Sequence, residues 1–348
     1  MMQGGPARDP LAIIREGVAI PAHPLALDAA RQLDPRRQRA LTRYYVDAGA
    51  GGLAVGVHTT QFAIREAGLY EAVLSLAAET AADWTDRPLA MIAGVAGRTR
   101  QAVAERASPG SAHAVLFSLA VQGGGRGRAD RRLRRGRCRA ALVGFYLQPV
   151  GGLELDTGFW KRFAGLDNVV AIKVAPFHRY RTLDVIRGVA AAGAEERITL
   201  YTGNDDHILL DLLTPFTVMR DGEPVTLRFK GGLLGHWSVW TRTAVALFHR
   251  CREAARQEAV PAELLALDSR MTDCNSAFFD VANNFHGCIA GCHEVLRRQG
   301  LLEGTWCLDP VEGLSPGQAE EIDRVYAAHG DLADDAFVRE SRDRWLAG

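Results

Sequence analysis

Eight short apolar runs, separated by helix-sized segments, recur along the first two thirds of the chain. They are GVAIPAH (residues 17–23), GLAVGVH (52–58), PLAMIAGV (88–95), HAVLFSLA (113–120), ALVGFYLQP (141–149), VVAIKVA (169–175), RITLYTG (197–203) and KGGLLGHW (230–237). Several are apolar at consecutive positions, as expected of parallel strands covered on both faces. Segments with helical spacing lie between them, among them 35–48, 62–80 and 182–192. Eight strand–helix units in series predict an α/β fold, a closed (β/α)8 TIM barrel. An open doubly wound sheet is the alternative, but no Gly-rich dinucleotide fingerprint follows the first run. Beyond the eighth run, helical patterns at 243–257, 262–284, 286–299 and 316–328 predict a helical C-terminal extension packed on the barrel. The expected organisation is a tail over 1–16, the barrel over 17–242 and the helical region over 243–348.

Composition removes several classes of function. The formal net charge is zero, so no global field recruits nucleic acid or a membrane surface. The longest apolar run, 114–121, is too short to span a bilayer, and the opening residues MMQGGPARDPLA lack the apolar stretch of a signal peptide. A soluble cytoplasmic protein is expected. One stretch breaks the pattern: GGGRGRADRRLRRGRCRAA, residues 123–141, carries eight arginines and one acid where a barrel helix belongs. It reads as an irregular Arg/Gly-rich insertion, a poor helix or an out-of-frame-like segment. Nucleic-acid binding is not expected of it, given the absence of interleaved aromatics. The six cysteines match no zinc spacing. Cys288 and Cys292 share a helix face beside His293, a pattern that fits a metal site less well than core packing. No metal is expected.

Lysine usage is the informative part. All but three of the 41 basic residues are arginine; the lysines are Lys161, Lys173 and Lys230. Arginine cannot replace a lysine that must lose its proton and attack a carbonyl. Lys173 sits inside VVAIKVA, where burial of an ammonium either demands a partner or lowers the pKa until the amine is neutral. A neutral amine is what a Schiff-base nucleophile needs. The competing reading is a strand-end lysine that reaches solvent or pairs with Asp205. In this topology the strands' C-terminal ends build the active site. Those ends supply His58, Thr59 and Thr60, then Tyr146, then Gly203 and Asn204, and finally the glycine-rich eighth run with Gly232. Tyr146 is expected to reach the same interior space as Lys173 and to carry protons, or else to be a barrel tyrosine with a bonded hydroxyl. Thr59 and Thr60 are candidates to hold a carboxylate, or helix caps. Asp205 and Asp206 read most economically as caps of the helix HILLDLL.

Tyr146 in FYLQP, Lys173 in VVAIKVA and TGNDD at 202–206 resemble the motifs of the dihydrodipicolinate synthase/N-acetylneuraminate lyase family. The likeness extends from about Gly17 to the NNF segment at Asn283 and into the last helices. The resemblance implies a homo-oligomeric barrel, a dimer or tetramer, that works as a class I aldolase without a cofactor. It implies that Lys173 forms the imine with pyruvate or a related 2-oxo acid, that Tyr146 relays protons and that Thr59 holds the carboxylate. Three departures bear on the substrate. His58 stands where the family has a relay hydroxyl; FSLAVQGGG (117–125) lacks the family's tyrosine pair; and Pro149-Val150-Gly151-Gly152 lacks an arginine that grips the second substrate. These imply a lyase other than a true dihydrodipicolinate synthase, in which His58 either takes over proton transfer or marks a change of chemistry. A sugar-acid dehydratase or hydratase that uses the same imine, and a catalytically silent barrel that binds a small carboxylate, are the alternatives.

Overall fold

A computed structural model of the protein describes residues 9–95, 113–118, 141–147 and 154–347. The arginine-rich stretch (except Ala141), Cys138, Pro149–Gly152 and the first eight residues lie outside them. Eight parallel strands line up as β1 (Ala19–Pro21), β2 (Gly52–Val55), β3 (Ala90–Val95), β4 (Ala114–Ser118), β5 (Ala141–Leu147), β6 (Val169–Ala175), β7 (Thr199–Thr202) and β10 (Phe229–Leu234). Their order in the sheet is β1-β10-β7-β6-β5-β4-β3-β2. The ends meet through a parallel bridge between Ala22 and Ala54, with the His23 N–H on the Ala54 carbonyl at 2.8 Å and the Gly51 N–H on that of Ala19 at 2.9 Å. The sheet is thus a nearly closed TIM barrel with helices around it and further helices at the C-terminus.

Local sequence explains the helices that the barrel needs. In α1 (Pro10–Glu16) and α2 (Pro35–Ala48), proline takes the first helical position and the preceding Asp9 or Asp34 accepts a backbone N–H. Gly49 then closes α2 in the left-handed conformation. Helix α3 (Tyr70–Trp84) starts later than the helical spacing from residue 62 predicts, after two 3-10 turns and Gly68 at φ +71°. Helix α4 (Thr157–Ala164) is capped by Asp156, and α5 (Arg179–Ala191) and α6 (Ile208–Leu213) follow β6 and β7.

Two expectations need correction here, and one element was not anticipated. The segment 1–16 is not a tail throughout: α1 closes the N-terminal end of the barrel, placing Ile13 and Ile14 in the interior cluster. The Tyr201 hydroxyl donates to the Ile14 carbonyl at 2.8 Å. A hairpin, β8 (Phe216–Arg220) and β9 (Glu223–Leu227), precedes β10 and turns at Asp221-Gly222, both at positive φ. An Asp-Gly pair between extended segments is the usual signal for such a turn, and it was present in the sequence. Finally, the helix expected over 262–284 ends at Phe278, because Asp280 and Asn284 are left-handed.

The C-terminal helices are α7 (Thr241–Ala254), α8 (Ala262–Phe278), α9 (Cys288–Arg298), α10 (Gln318–His329) and α11 (Asp335–Leu346), the last unanticipated. One buried carboxylate ties them to the barrel. Asp334 accepts from the Tyr44 hydroxyl on α2 (2.7 Å), the Arg242 N–H on α7 (2.9 Å) and the Gln299 amide beyond α9 (2.7 Å). The same Tyr44 oxygen accepts the Thr241 N–H at 2.8 Å. We therefore expect Tyr44→Phe to lower stability by about 1–3 kcal/mol, since it strands one buried donor and weakens one buried acceptor. Urea unfolding of the variant checks this; an unchanged midpoint would deny the network that role.

Candidate active site

Strand register decides which side chains share the barrel interior, because residues directly opposite one another in neighbouring parallel strands face the same side. Lys173 on β6 is opposite Phe145 on β5 and Tyr201 on β7, and Tyr201 is opposite Gly231 on β10. Phe145 and Tyr201 belong to the interior cluster with Ala171, Ala175 and Leu233. Lys173 is 9% exposed, and its Nζ lies 4.2 Å from the centre of the Phe145 ring. A cation there gains from the ring's negative face while losing its water.

Tyr146 points the other way. It is opposite Val174, and its ring packs outside the barrel against Trp160 of α4, with ring centres 5.2 Å apart. Its oxygen accepts the Leu155 N–H at 3.5 Å. The expectation that Tyr146 shares the interior space of Lys173 is corrected: strict alternation along β5 gives that position to Phe145.

Burial pushes the Lys173 ammonium down from 10.5 to about 8, partly opposed by the negative charge of Asp205. Asp205 is raised to about 6 by burial, against the pull of the His236 N–H and of Lys173. His58, in the 3-10 turn after β2, is exposed by surface area at the mouth. Surrounding protein nevertheless lowers its pKa, and the Lys173 charge lowers it further, so the imidazole lies within electrostatic reach of the amine. The exposed fraction means that the desolvation is partial, while the repulsion from Lys173 follows from placement alone.

The two threonines behave differently. The Thr60 hydroxyl donates to the His23 carbonyl at 2.7 Å and accepts the Gly56 and Val57 N–H groups at 3.0 and 3.2 Å. It staples the turn as a cap, the second of the two roles expected of it, and is not offered to a ligand. The Thr59 hydroxyl, in a residue only 4% exposed, makes no hydrogen bond among the described residues. A buried polar atom without a partner is unusual in a folded protein.

The turn after β7 is also more specific than expected. Gly203 lies against the lysine stem: a Cβ there would be 2.4 Å from Lys173 Cε and 2.8 Å from Ala175 Cβ. Asn204 is engaged structurally, accepting the Phe177 N–H at 3.1 Å and donating to Asp211 at 2.9 Å, so its expected role in substrate binding is not supported. Asp205 and Asp206 do not cap α6; Asp268 from α8 does so, accepting the Leu209 and Leu210 N–H groups at 2.9 and 3.0 Å. Gly232 faces Trp237, 2.6 Å from where its Cβ would stand, and Gly231 takes the interior position. Sequence reading thus missed Phe145 and Gly231, which only strand parity could have revealed, and offered Asp205 as a partner of Lys173 only as the competing reading. Burial raises Cys292 to about 12 and holds it as a thiol, and no group of three or more potential metal ligands occurs among the described residues.

Two predictions follow from this geometry. Gly203→Ala leaves the fold intact by circular dichroism but displaces the amine. It should cut the labelling of Lys173 by an amine-directed reagent about tenfold or more, as expected for a shift on the order of 1 Å. Equal labelling would remove Gly203 from the site. Thr60→Val should cost about 1–3 kcal/mol in thermal or urea unfolding, whereas Thr59→Val should cost little, because an unpartnered hydroxyl contributes nothing when buried. Equal losses would contradict the assignment.

No family model and no curated protein matches the sequence. Solved structures do. The dihydrodipicolinate synthase from Oceanobacillus iheyensis superposes with a TM-score of 0.73 at 15% identity, covering 93% of this chain and 100% of that one. YagE, a prophage protein belonging to the dihydrodipicolinic acid synthase family from E. coli K12, was solved in complex with pyruvate. It gives 0.70 at 18% identity over 89% of this chain and 97% of its own. CdNal from Clostridium difficile, in complex with mannosamine, gives 0.68 at 14% over 90% and 99%. Across nearly its whole length the chain therefore has the fold of structures from the dihydrodipicolinate synthase family.

Proposed function

We propose that the protein is a Schiff-base-forming lyase or aldolase in which Lys173 condenses with pyruvate or a related 2-oxo acid. The observation that carries this reading is one buried amine, held at about 8 in the interior of the barrel at the level of the site-bearing turns. At pH 7 about a tenth of such an amine is neutral, against well under a thousandth for a lysine at 10.5. Pyruvate bound to YagE and to the chloride-inhibited dihydrodipicolinate synthase from Acinetobacter baumannii supports the choice of ligand.

The neutral amine attacks the ketone carbon, and the oxygen departs as water to leave a protonated imine. That cation is the electron sink through which a neighbouring C–C bond breaks, or forms from the enamine, so the chemistry calls on no separate cofactor. His58 carries the protons in place of Tyr146. Its depressed pKa keeps the imidazole neutral near pH 7, ready to accept a proton. The unpartnered Thr59 hydroxyl receives the substrate carboxylate. One observation favours a second reading, a barrel that binds a small carboxylate without chemistry: Tyr146 turns outward, and the phenol opposite Lys173, Tyr201, spends its hydroxyl on the Ile14 carbonyl.

Borohydride reduction in the presence of pyruvate, with Lys173→Ala as control, separates the two. We expect a reduced adduct on the Lys173 peptide, absent from the variant, and an initial rate that rises with pH through about 8 as the amine loses its proton. Saturable pyruvate binding by folded protein with no adduct would favour the silent barrel.

A further inference from the structure

Asp205, which the sequence offers both as a helix cap and as a partner of Lys173, is held from more than one side. Its carboxylate accepts the His236 N–H at 3.0 Å, from the turn after β10. Its own carbonyl accepts the Asn275 side-chain amide at 2.6 Å, and Asn275 Oδ1 in turn meets His236 Nδ1 at 2.5 Å. Four elements thus converge on one residue: the β7 turn, the β10 turn, α8 and, through the charge, β6. The lysine stem lies against Gly203, two residues earlier in the same turn. Since α6 is capped by Asp268, Asp205 does not serve that helix; the N–H it accepts opens the 3-10 turn His236–Ser238.

We propose that Asp205 is a positioning residue for Lys173: a fixed counter-charge, two residues beyond the glycine that packs the lysine stem, which stands opposite the cation of the protonated imine. This inference rests on the Schiff-base reading and extends it, because a buried permanent cation requires a partner that the free amine does not. Asp205 makes and breaks no bond. Neutral amine and ketone, with one proton, yield the protonated imine and water, and the carboxylate stays an anion throughout. The other titratable groups facing the pair are His58, which repels Lys173, and Asp206, Cys288 and Cys292, which repel the Asp205 charge. The thiols are held neutral by burial, so Asp205 is the anion acting on the amine.

The sign of the effect is fixed. Asp205 raises the Lys173 pKa against desolvation, so removing its charge lets that pKa fall further. In Asp205→Asn the pH midpoint for the rate of borohydride-trapped adduct should move at least one unit below the wild-type value. The adduct present at saturating pyruvate should fall severalfold, because the imine cation has lost its partner. Asp205→Glu should restore the wild-type midpoint. An Asn variant that merely loses thermal stability and keeps the wild-type midpoint would overturn the proposal.

A second measurement is independent of folding in the variant and of any 2-oxo acid. The wild-type protein has three lysines, so reductive 13C-methylation gives a simple spectrum. The Lys173 resonance should titrate near 8 and show a second inflection near 6, where Asp205 takes its proton. A single inflection would also overturn the pairing. If the two inflections appear but pyruvate gives no adduct, the pairing stands and the Schiff-base reading falls.

Discussion

An ammonium buried in the interior of the barrel is the constraint on which the rest of this structure depends. Water solvates such a group far better than a ring of Ile, Ala and Phe side chains does, so Lys173 survives there only with its pKa lowered and a countercharge within reach. The neighbours fit that demand. Phe145 offers a ring face at 4.2 Å, Gly203 leaves room for the stem, and Asp205 supplies the negative charge. A lysine at the same point with solvent access would keep its proton at neutral pH and be a poor nucleophile.

Holding such a centre requires loops that do not drift, and buried polar residues outside the barrel do this. Asp211 accepts from Thr202 at 2.5 Å and from Asn204 at 2.9 Å, joining the two sides of the β7 turn, and Arg179 of α5 pairs with its other oxygen. Asp268 reaches from α8 to cap α6, and Asn275 on the same helix holds the backbone of Asp205. The C-terminal helices therefore do more than cover the barrel. They set the position of the turn that faces the amine, as Asp334 sets the position of the helices themselves.

Much of this was legible in the sequence. The eight apolar runs gave all the barrel strands, with β6 matching its run residue for residue, and the scarcity of lysine singled out Lys173. The face of β5 was not legible. ALVGFYL is apolar at every position, so no alternation tells whether Phe145 or Tyr146 points inward, and register with β6 decides it. The distinction between Thr59 and Thr60 was hidden for a similar reason: adjacent identical residues differ only in which one the turn uses as its staple. The cap reading of Asp205 failed because an acid before a helix usually caps it, whereas here the cap comes from Asp268, far along the chain. The Asp-Gly hairpin, by contrast, was announced locally and overlooked.

The account turns on where a 2-oxo acid becomes bonded. A crystal structure of the protein reduced with borohydride in the presence of pyruvate tests this most directly. The account predicts continuous density from Lys173 Nζ to the former carbonyl carbon, with the carboxylate on the Thr59 hydroxyl and Asp205 beside the nitrogen. Pyruvate bound without a covalent link, or bonded to Lys161 or Lys230, would contradict it.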